Sequence, residues 1–91
     1  MPETLHVLRY RYVPDILARR GPYRDAHLGL LRRLHAEGAV VTAGATGDPP
    51  SGALIVFRDA GAAERFARED PYGSAGLVAE RSVEPWTVVV P

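Results

Sequence analysis

The sequence predicts an α+β fold in which two helices cover one face of a four-stranded antiparallel sheet. Four runs rich in apolar and β-branched residues predict strands, at residues 4–13, 39–44, 53–57 and 78–90. Helical spacing of apolar residues predicts helices at residues 22–37 and 60–69. The resulting order, strand, helix, strand, strand, helix, strand, is that of the ferredoxin-like βαββαβ arrangement.

Length and composition predict one globular domain over residues 1–91, since a chain of 91 residues with 46% hydrophobic side chains can bury one core. The formal net charge is zero, so we expect neither nucleic acid nor a membrane surface as a partner. Cysteine is absent, which excludes disulfides and thiol catalysis. With no signal peptide and no long apolar run, a cytoplasmic location is expected.

The first strand has apolar side chains on both faces. The even-numbered residues from His6 to Tyr12 share one face, and the odd-numbered residues from Leu5 to Val13 share the other. Only one of these faces can be covered by the helices. A second copy of the chain is the simplest cover for the other face, which predicts a homodimer formed through the sheet.

Glycine and proline mark the ends of the elements. Pro22 suits the first turn of the long helix, and Gly38 suits its C-terminal cap. Asp59 is placed to cap the second helix, which Pro71 ends. The polar segment 47–52 predicts a hairpin turn. Pro85 predicts a break in the last strand, at a bulge or at an edge of the sheet.

The clearest sign of function is an ionisable residue on the inward face of each helix. His27 completes the apolar stripe of the long helix, and Asp70 follows on the apolar face of the second. Both helices pack on one sheet face, so the two side chains are expected to meet. The stripe residues are Tyr23, Leu30, Leu31 and Leu34 in the long helix, and Ala63, Phe66 and Ala67 in the second.

A paired histidine and carboxylate predict proton transfer at a catalytic site. The carboxylate fixes the tautomer of the imidazole and makes the distal ring nitrogen a better base. No serine or cysteine stands out as a nucleophile, so acid–base chemistry is favoured over an acyl-enzyme. The alternative is local satisfaction, with Asp70 capping the turn before Pro71 and His27 bonded to a main-chain carbonyl.

Four further residues are candidates for contacting substrate. Arg24 lies one turn before His27, and Tyr72 lies close to Asp70 in the chain. Arg9 and Tyr10 of the first strand suit an anionic or aromatic ligand, although a single strand arginine is more often solvated or paired across the sheet. With three histidines and no cysteine, we expect no dedicated metal site and no cofactor.

Motifs along nearly the whole chain resemble those of the YCII (YciI-like) family. They are Tyr12-Val13-Pro14-Asp15-Ile16-Leu17, Arg20-Gly21-Pro22-Tyr23-Arg24, Ala26-His27-Leu28, Gly47-Asp48-Pro49-Pro50, Gly52-Ala53-Leu54, Phe66-Ala67, Asp70-Pro71-Tyr72 and Ala75-Gly76-Leu77-Val78. The resemblance implies a protomer that pairs into a dimeric α+β barrel. It also implies that His27 and Asp70 are active-site residues.

Two functions follow as hypotheses. The first is a cofactor-independent enzyme of the lyase or isomerase type that acts on a small organic substrate. The resemblance implies phenolic or quinone-like substrates, because the wider superfamily acts on such molecules. The alternative is a non-catalytic homodimeric module that binds a small ligand or another protein. A cavity that reaches the ring of His27 favours the enzyme, and a ring sealed in the core favours the module.

Overall fold

The computed structural model describes residues 3–91 and has the predicted α+β architecture. Strands β1, β2, β3 and β4 span Glu3–Tyr12, Val40–Thr46, Gly52–Phe57 and Val78–Val88. Helices α1, α2, α3 and α4 span Ile16–Arg19, Gly21–Ala36, Ala60–Glu69 and Pro71–Ser74. The long helix α2, the helix α3 and the four strands follow the βαββαβ order. The short helices α1 and α4 occupy the connections before α2 and after α3.

The sheet has the order β2-β3-β1-β4, and every neighbouring pair is antiparallel. The last strand runs without a break through Pro85, which lies opposite His6 of β1. The predicted break near Pro85 is therefore wrong, and the register shift falls instead between Arg11 and Tyr12. The predicted edge position is confirmed, because β4 has a neighbour on one side only and the missing N–H of proline is tolerated there.

The two faces of the sheet carry two separate apolar clusters, as the alternation in β1 predicts. The face under the helices holds Leu8, Tyr10 and Tyr12, packed with residues of β3, α3 and α4. The opposite face, called here the outer face, holds Leu5 and Val7 with Val56 of β3. Trp86 of β4 is 49% exposed.

The helix ends follow the predicted local chemistry. Gly38 adopts a φ of 86° after α2, and the next N–H, of Ala39, donates to the carbonyl of Leu34 at 2.9 Å. Asp59 caps α3 by accepting from the N–H of Ala62 at 2.7 Å. Tyr23 is 40% exposed, so its predicted inward position is wrong: it lies in the first turn of α2, before the part that packs on the core.

None of the helices within residues 3–91 has the length and apolar character required to span a bilayer.

Candidate active site

Asp70 is held in place by the junction between α3 and α4. Its backbone is extended, with φ −63° and ψ 122°, as expected for a residue that precedes proline. This conformation ends α3 and lets the side chain cap α4, where Oδ1 accepts from the N–H of Tyr72 at 3.1 Å. The carboxyl group is fully buried. The same oxygen, Oδ1, therefore caps the turn at Pro71 and also contacts the side chain of His27.

His27 and Asp70 are in direct contact. Nδ1 of His27 lies 2.7 Å from Oδ1 of Asp70, across 43 residues of chain. Tyr10 completes the group, because its hydroxyl donates to Oδ2 of Asp70 at 2.8 Å. An ionised carboxylate is an acceptor only, so it accepts from the Tyr10 hydroxyl, from a backbone N–H and from Nδ1 of His27. In the neutral form of the imidazole, a proton on Nδ1 leaves the lone pair on Nε2.

Aromatic rings fix the orientation of the imidazole. The ring of Tyr72 stacks on that of His27, with centroids 3.8 Å apart and planes inclined by 2°. The ring of Phe66 meets His27 edge-on at 6.2 Å. Tyr12 in turn contacts Tyr72 edge-on at 5.8 Å. The segment Asp70-Pro71-Tyr72 thus supplies both the carboxylate on one side of the ring and the aromatic plane against its face.

A cavity of about 180 Å³ reaches His27 between α2 and the β2–β3 side of the sheet. Its lining includes Arg20, Arg24, His27 and Tyr72, with apolar side chains of α2 and small residues of β2 and β3. Within residues 3–91, no protein group forms a hydrogen bond with Nε2 of His27. Every fully buried side-chain nitrogen in these residues has a hydrogen-bond partner, so Nε2 is not fully buried. Nε2 is therefore the ring atom left available to a molecule in the cavity.

Burial shapes the ionisation of the tyrosines around the site. It is the largest cause that raises the pKa of Tyr10 above its ordinary value, and the charge of Asp70 and the hydrogen bond to it add to the effect. Burial also raises the pKa of Tyr12, with Tyr72 and Asp70 contributing. The pKa of Tyr72 is raised by burial, against the opposing fields of Arg20 and Arg24. Tyr10 therefore stays a hydroxyl donor at neutral pH.

The predicted substrate contacts divide into two groups. Arg24 and Tyr72 line the cavity with His27. The structure does not bring Arg9 there, because its odd position in β1 places it on the outer face, 3.6 Å from Glu84. The hydroxyl of Tyr10 is engaged by Asp70, behind His27. Arg20 also lines the cavity, although it was not predicted as a substrate contact. Its spacing of four residues from Arg24 places the two on the same side of a helix and could have indicated it.

A larger groove, of about 600 Å³, lies on the outer face and does not include His27 or Asp70. Its lining is mostly apolar and small, with Val7, Leu54, Val56 and Trp86 among the larger residues. Volume alone would favour this groove as a binding site. His27, which contacts the buried Asp70, lines the smaller cavity, and we therefore take that cavity as the candidate active site.

Among the described residues, no group of three or more histidine and acidic side chains is arranged to hold a metal ion.

Residues 4–87 match the family described as the YCII-related domain. The chain belongs to this family. It is 34% identical over 96 residues to Protein YciI of Escherichia coli O6:H1 and of Shigella flexneri, which covers 93% of this chain and 98% of each relative. An uncharacterized protein of Haemophilus influenzae is 30% identical over 95 residues, with 92% and 97% covered.

Solved structures of other proteins show the same fold as this YCII-related chain. The 5-chloro-2-hydroxyhydroquinone dehydrochlorinase of Burkholderia phenoliruptrix AC1100, solved with 2,5-dihydroxybenzoquinone, has a TM-score of 0.75 and 26% identity, over 91% of this chain and 93% of that one. A protein of unknown function from Nitrosomonas europaea has a TM-score of 0.59 and 17% identity, over 100% and 93% of the two chains. The predicted ferredoxin-like fold of the dimeric α+β barrel class is confirmed.

Proposed function

We propose that this protein is a cofactor-independent enzyme that uses His27 and Asp70 for acid–base chemistry on a small organic substrate of the phenolic or quinone type. One observation carries the proposal. Nδ1 of His27 is bonded to a buried carboxylate at 2.7 Å, while the other ring nitrogen has no protein partner within residues 3–91 and the ring lines a cavity. This is the arrangement of a general base, whose orienting partner and substrate lie on opposite sides of the imidazole.

The chemistry follows from the protonation state of the pair. Nε2 takes a proton from a C–H or O–H bond of the substrate, and the electron pair of that bond stays on the substrate. Asp70 stabilises the imidazolium that forms. In an elimination this electron pair forms a double bond and expels a leaving group as an anion. In an isomerisation the double bond shifts, and Nε2 returns the proton to another substrate atom.

The likeness to the dehydrochlorinase supports a reaction of the lyase type. That protein is named for removing the elements of hydrogen chloride from a chlorinated hydroxyhydroquinone, a small phenolic substrate. Such an elimination needs one proton acceptor and a pocket of modest size. His27 and a cavity of about 180 Å³ fit both needs.

Substrate contacts in this proposal come from the cavity wall. Arg24 and Tyr72 face the same space as His27 and are the proposed substrate-binding residues. Tyr10 acts through Asp70 as a positioning residue, since its hydroxyl holds the carboxylate oxygen that His27 does not use. Arg9 is left out, because it lies on the outer face of the sheet.

The test is turnover of 5-chloro-2-hydroxyhydroquinone, followed as chloride release, together with deuterium uptake from D2O by a panel of small phenols and hydroxyquinones. We expect His27→Gln and Asp70→Asn to lower the rate by about 100-fold or more, as for the loss of a general base. Arg9→Gln is the matched control and should keep the wild-type rate. If the wild-type protein neither releases chloride nor exchanges protons on any compound, the proposal fails and the non-catalytic binding module becomes the better account.

The homodimer is a further part of the proposal. The outer-face cluster of Leu5, Val7 and Val56, with Trp86 half exposed beside it, offers an apolar surface to a second copy. The fold class supports this pairing, since the dimeric α+β barrel is built from two such sheets. Size-exclusion chromatography with light scattering should give a dimer for the wild type and a monomer for Val7→Glu. A cytoplasmic location stays a prediction.

A further inference from the structure

Arg20 and Arg24 carry positive charge into the cavity beside His27. They are four residues apart, at the cap and in the first turn of α2, and both line the cavity. Their positive charges also oppose the rise that burial causes in the pKa of Tyr72, whose ring stacks on His27. Among residues 3–91, no aspartate or glutamate lines the cavity. The described wall around His27 thus bears two arginine cations and no carboxylate.

Ion pairs with carboxylates engage some, but not all, of the eleven arginines. Five arginines lie 3.0–3.8 Å from a carboxylate, namely Arg9, Arg11, Arg19, Arg33 and Arg58. In residues 3–91, neither Arg20 nor Arg24 has such a partner. Arg20 is half-buried, so its charge is only partly solvated. Guanidinium groups in that position suit an oxyanion, which accepts two parallel N–H bonds.

The size of the cavity limits the anion. Pockets for drug-sized ligands measure roughly 300–1,000 Å³. The cavity at His27 measures about 180 Å³, which suits a ligand smaller than these, on the scale of one ring. Its inner surface offers the apolar side chains Leu28, Leu31 and Ile55 to the body of such a ligand.

We propose that this site selects small, single-ring organic anions, and that Arg20 and Arg24 bind the oxyanion while His27 faces the ring. The proposal rests on the proposed function only in taking this cavity as the ligand site. It assigns Arg20 a role in specificity that the sequence did not suggest. An anionic substrate is compatible with the proposed role of His27 as a base. When the phenolate oxygen is bound by the arginines, Nε2 can remove a proton from a ring C–H or from a second hydroxyl of the same molecule.

The experiment measures binding of matched probes by NMR shift changes in ¹⁵N-labelled protein. Benzoate is compared with benzamide, and 4-nitrophenolate with 4-nitroaniline, so that each anion has a neutral partner of similar shape. We expect each anion to bind about tenfold more tightly than its neutral partner, the effect of one or two charge-assisted hydrogen bonds. The two arms also show whether a carboxylate or a phenolate is preferred. Shifts should concentrate at Gly44, Ala45 and Tyr72, which line the cavity.

Variants of the two arginines then test whether these side chains cause the preference for anions. Arg20→Gln and Arg24→Gln should each weaken anion binding by about fivefold to tenfold and leave the neutral probes unchanged. Arg32→Gln is the matched control, because Arg32 is exposed on the same helix and does not line this cavity. If Arg20→Gln does not fold, the salt dependence of binding to the wild-type protein tests the proposal. Added NaCl should weaken the binding of the anions and leave the binding of the neutral probes unaffected.

The proposal is overturned if anions and neutral partners bind equally, if no anion binds, or if the Arg20 and Arg24 variants behave like Arg32→Gln. Turnover by the wild-type protein is measured separately from binding, so that the proposed enzyme and the proposed anion site can fail independently. Anion binding without turnover would therefore contradict the proposed enzymatic activity and support the proposed anion site.

Discussion

The rings of His27 and Tyr72 lie parallel and 3.8 Å apart, and the backbone N–H of Tyr72 bonds the same carboxylate that holds the imidazole. Tyr72 therefore contacts Asp70 through its backbone N–H and His27 through its ring. It covers one face of His27, whose ring lines the cavity. The stacking thus orients the imidazole in addition to packing the core.

Replacement of Tyr72 separates its ring from its hydroxyl. Tyr72→Ala should lower the free energy of unfolding by about 3 kcal/mol, since a buried aromatic side chain leaves a cavity. Tyr72→Phe should cost much less, because stacking on His27 is kept. Urea denaturation followed by circular dichroism measures both. Equal losses for the two variants would show that the hydroxyl, and not the stacked ring, supports the site.

Removal of the Tyr10 hydroxyl takes a donor from a buried carboxylate. Tyr10→Phe should lower the free energy of unfolding by about 1.5–3 kcal/mol, the range for hydrogen bonds to charged groups. Tyr23→Phe is the control, since Tyr23 is 40% exposed. In the same variant we expect slower turnover with little change in KM, because Tyr10 positions Asp70 and does not touch substrate. A rise in KM alone would make Tyr10 a substrate contact instead.

Asp70→Asn should destabilise the protein by about 3 kcal/mol, as expected for breaking a buried charged network. The single oxygen of the asparagine amide can accept from only some of the groups that now bond the carboxylate. The amide NH2 group then faces either the Tyr10 hydroxyl or Nδ1 of His27. Asp59→Asn is a matched control, because asparagine caps helices about as well as aspartate does. Denaturation curves that coincide for wild type and Asp70→Asn would show that the buried group is not an ionised acceptor.

Alkaline pH should destabilise the protein through its buried tyrosines. The pKa values of Tyr10 and Tyr12 are raised above the ordinary 10.0, chiefly by burial. Above about pH 10 the unfolded chain therefore binds fewer protons than the native one, and the free energy of unfolding falls as pH rises. Urea midpoints at pH 8 and pH 11 measure the fall, and Tyr12→Phe should reduce it. A midpoint that does not change with pH would contradict the burial of these hydroxyls.

Much of the fold could be predicted because local patterns and tertiary contacts agree. Alternation in β1 assigns Leu8 and Tyr10 to the helix side and Val7 to the outer face, as the structure has them. The same alternation argues against Arg9 at the cavity, since Arg9 and Tyr10 are neighbours in a strand and point to opposite faces. The predicted strand break near Pro85 was wrong because an edge strand has a neighbour on one side only, where a proline without an N–H is tolerated.

The contact of His27 with Asp70 could be predicted because helical spacing places each on an inward face. The partner of the Tyr10 hydroxyl, Oδ2 of Asp70 at 2.8 Å, could not be predicted, since it depends on how the end of α3 packs against β1. The stacking of Tyr72 was missed for a similar reason. It depends on α4, a single turn of four residues whose sequence has too few positions to show a periodicity.

The tautomer of His27 tests the proposed base most directly. In ¹⁵N NMR spectra of the protein labelled at histidine, we expect the resting ring to carry its proton on Nδ1 and to show Nε2 with an unprotonated shift. In Asp70→Asn this preference should weaken, because the acceptor that selects it is changed. A resting ring with its proton on Nε2, unaltered by Asp70→Asn, would contradict Nε2 as the free base at the cavity.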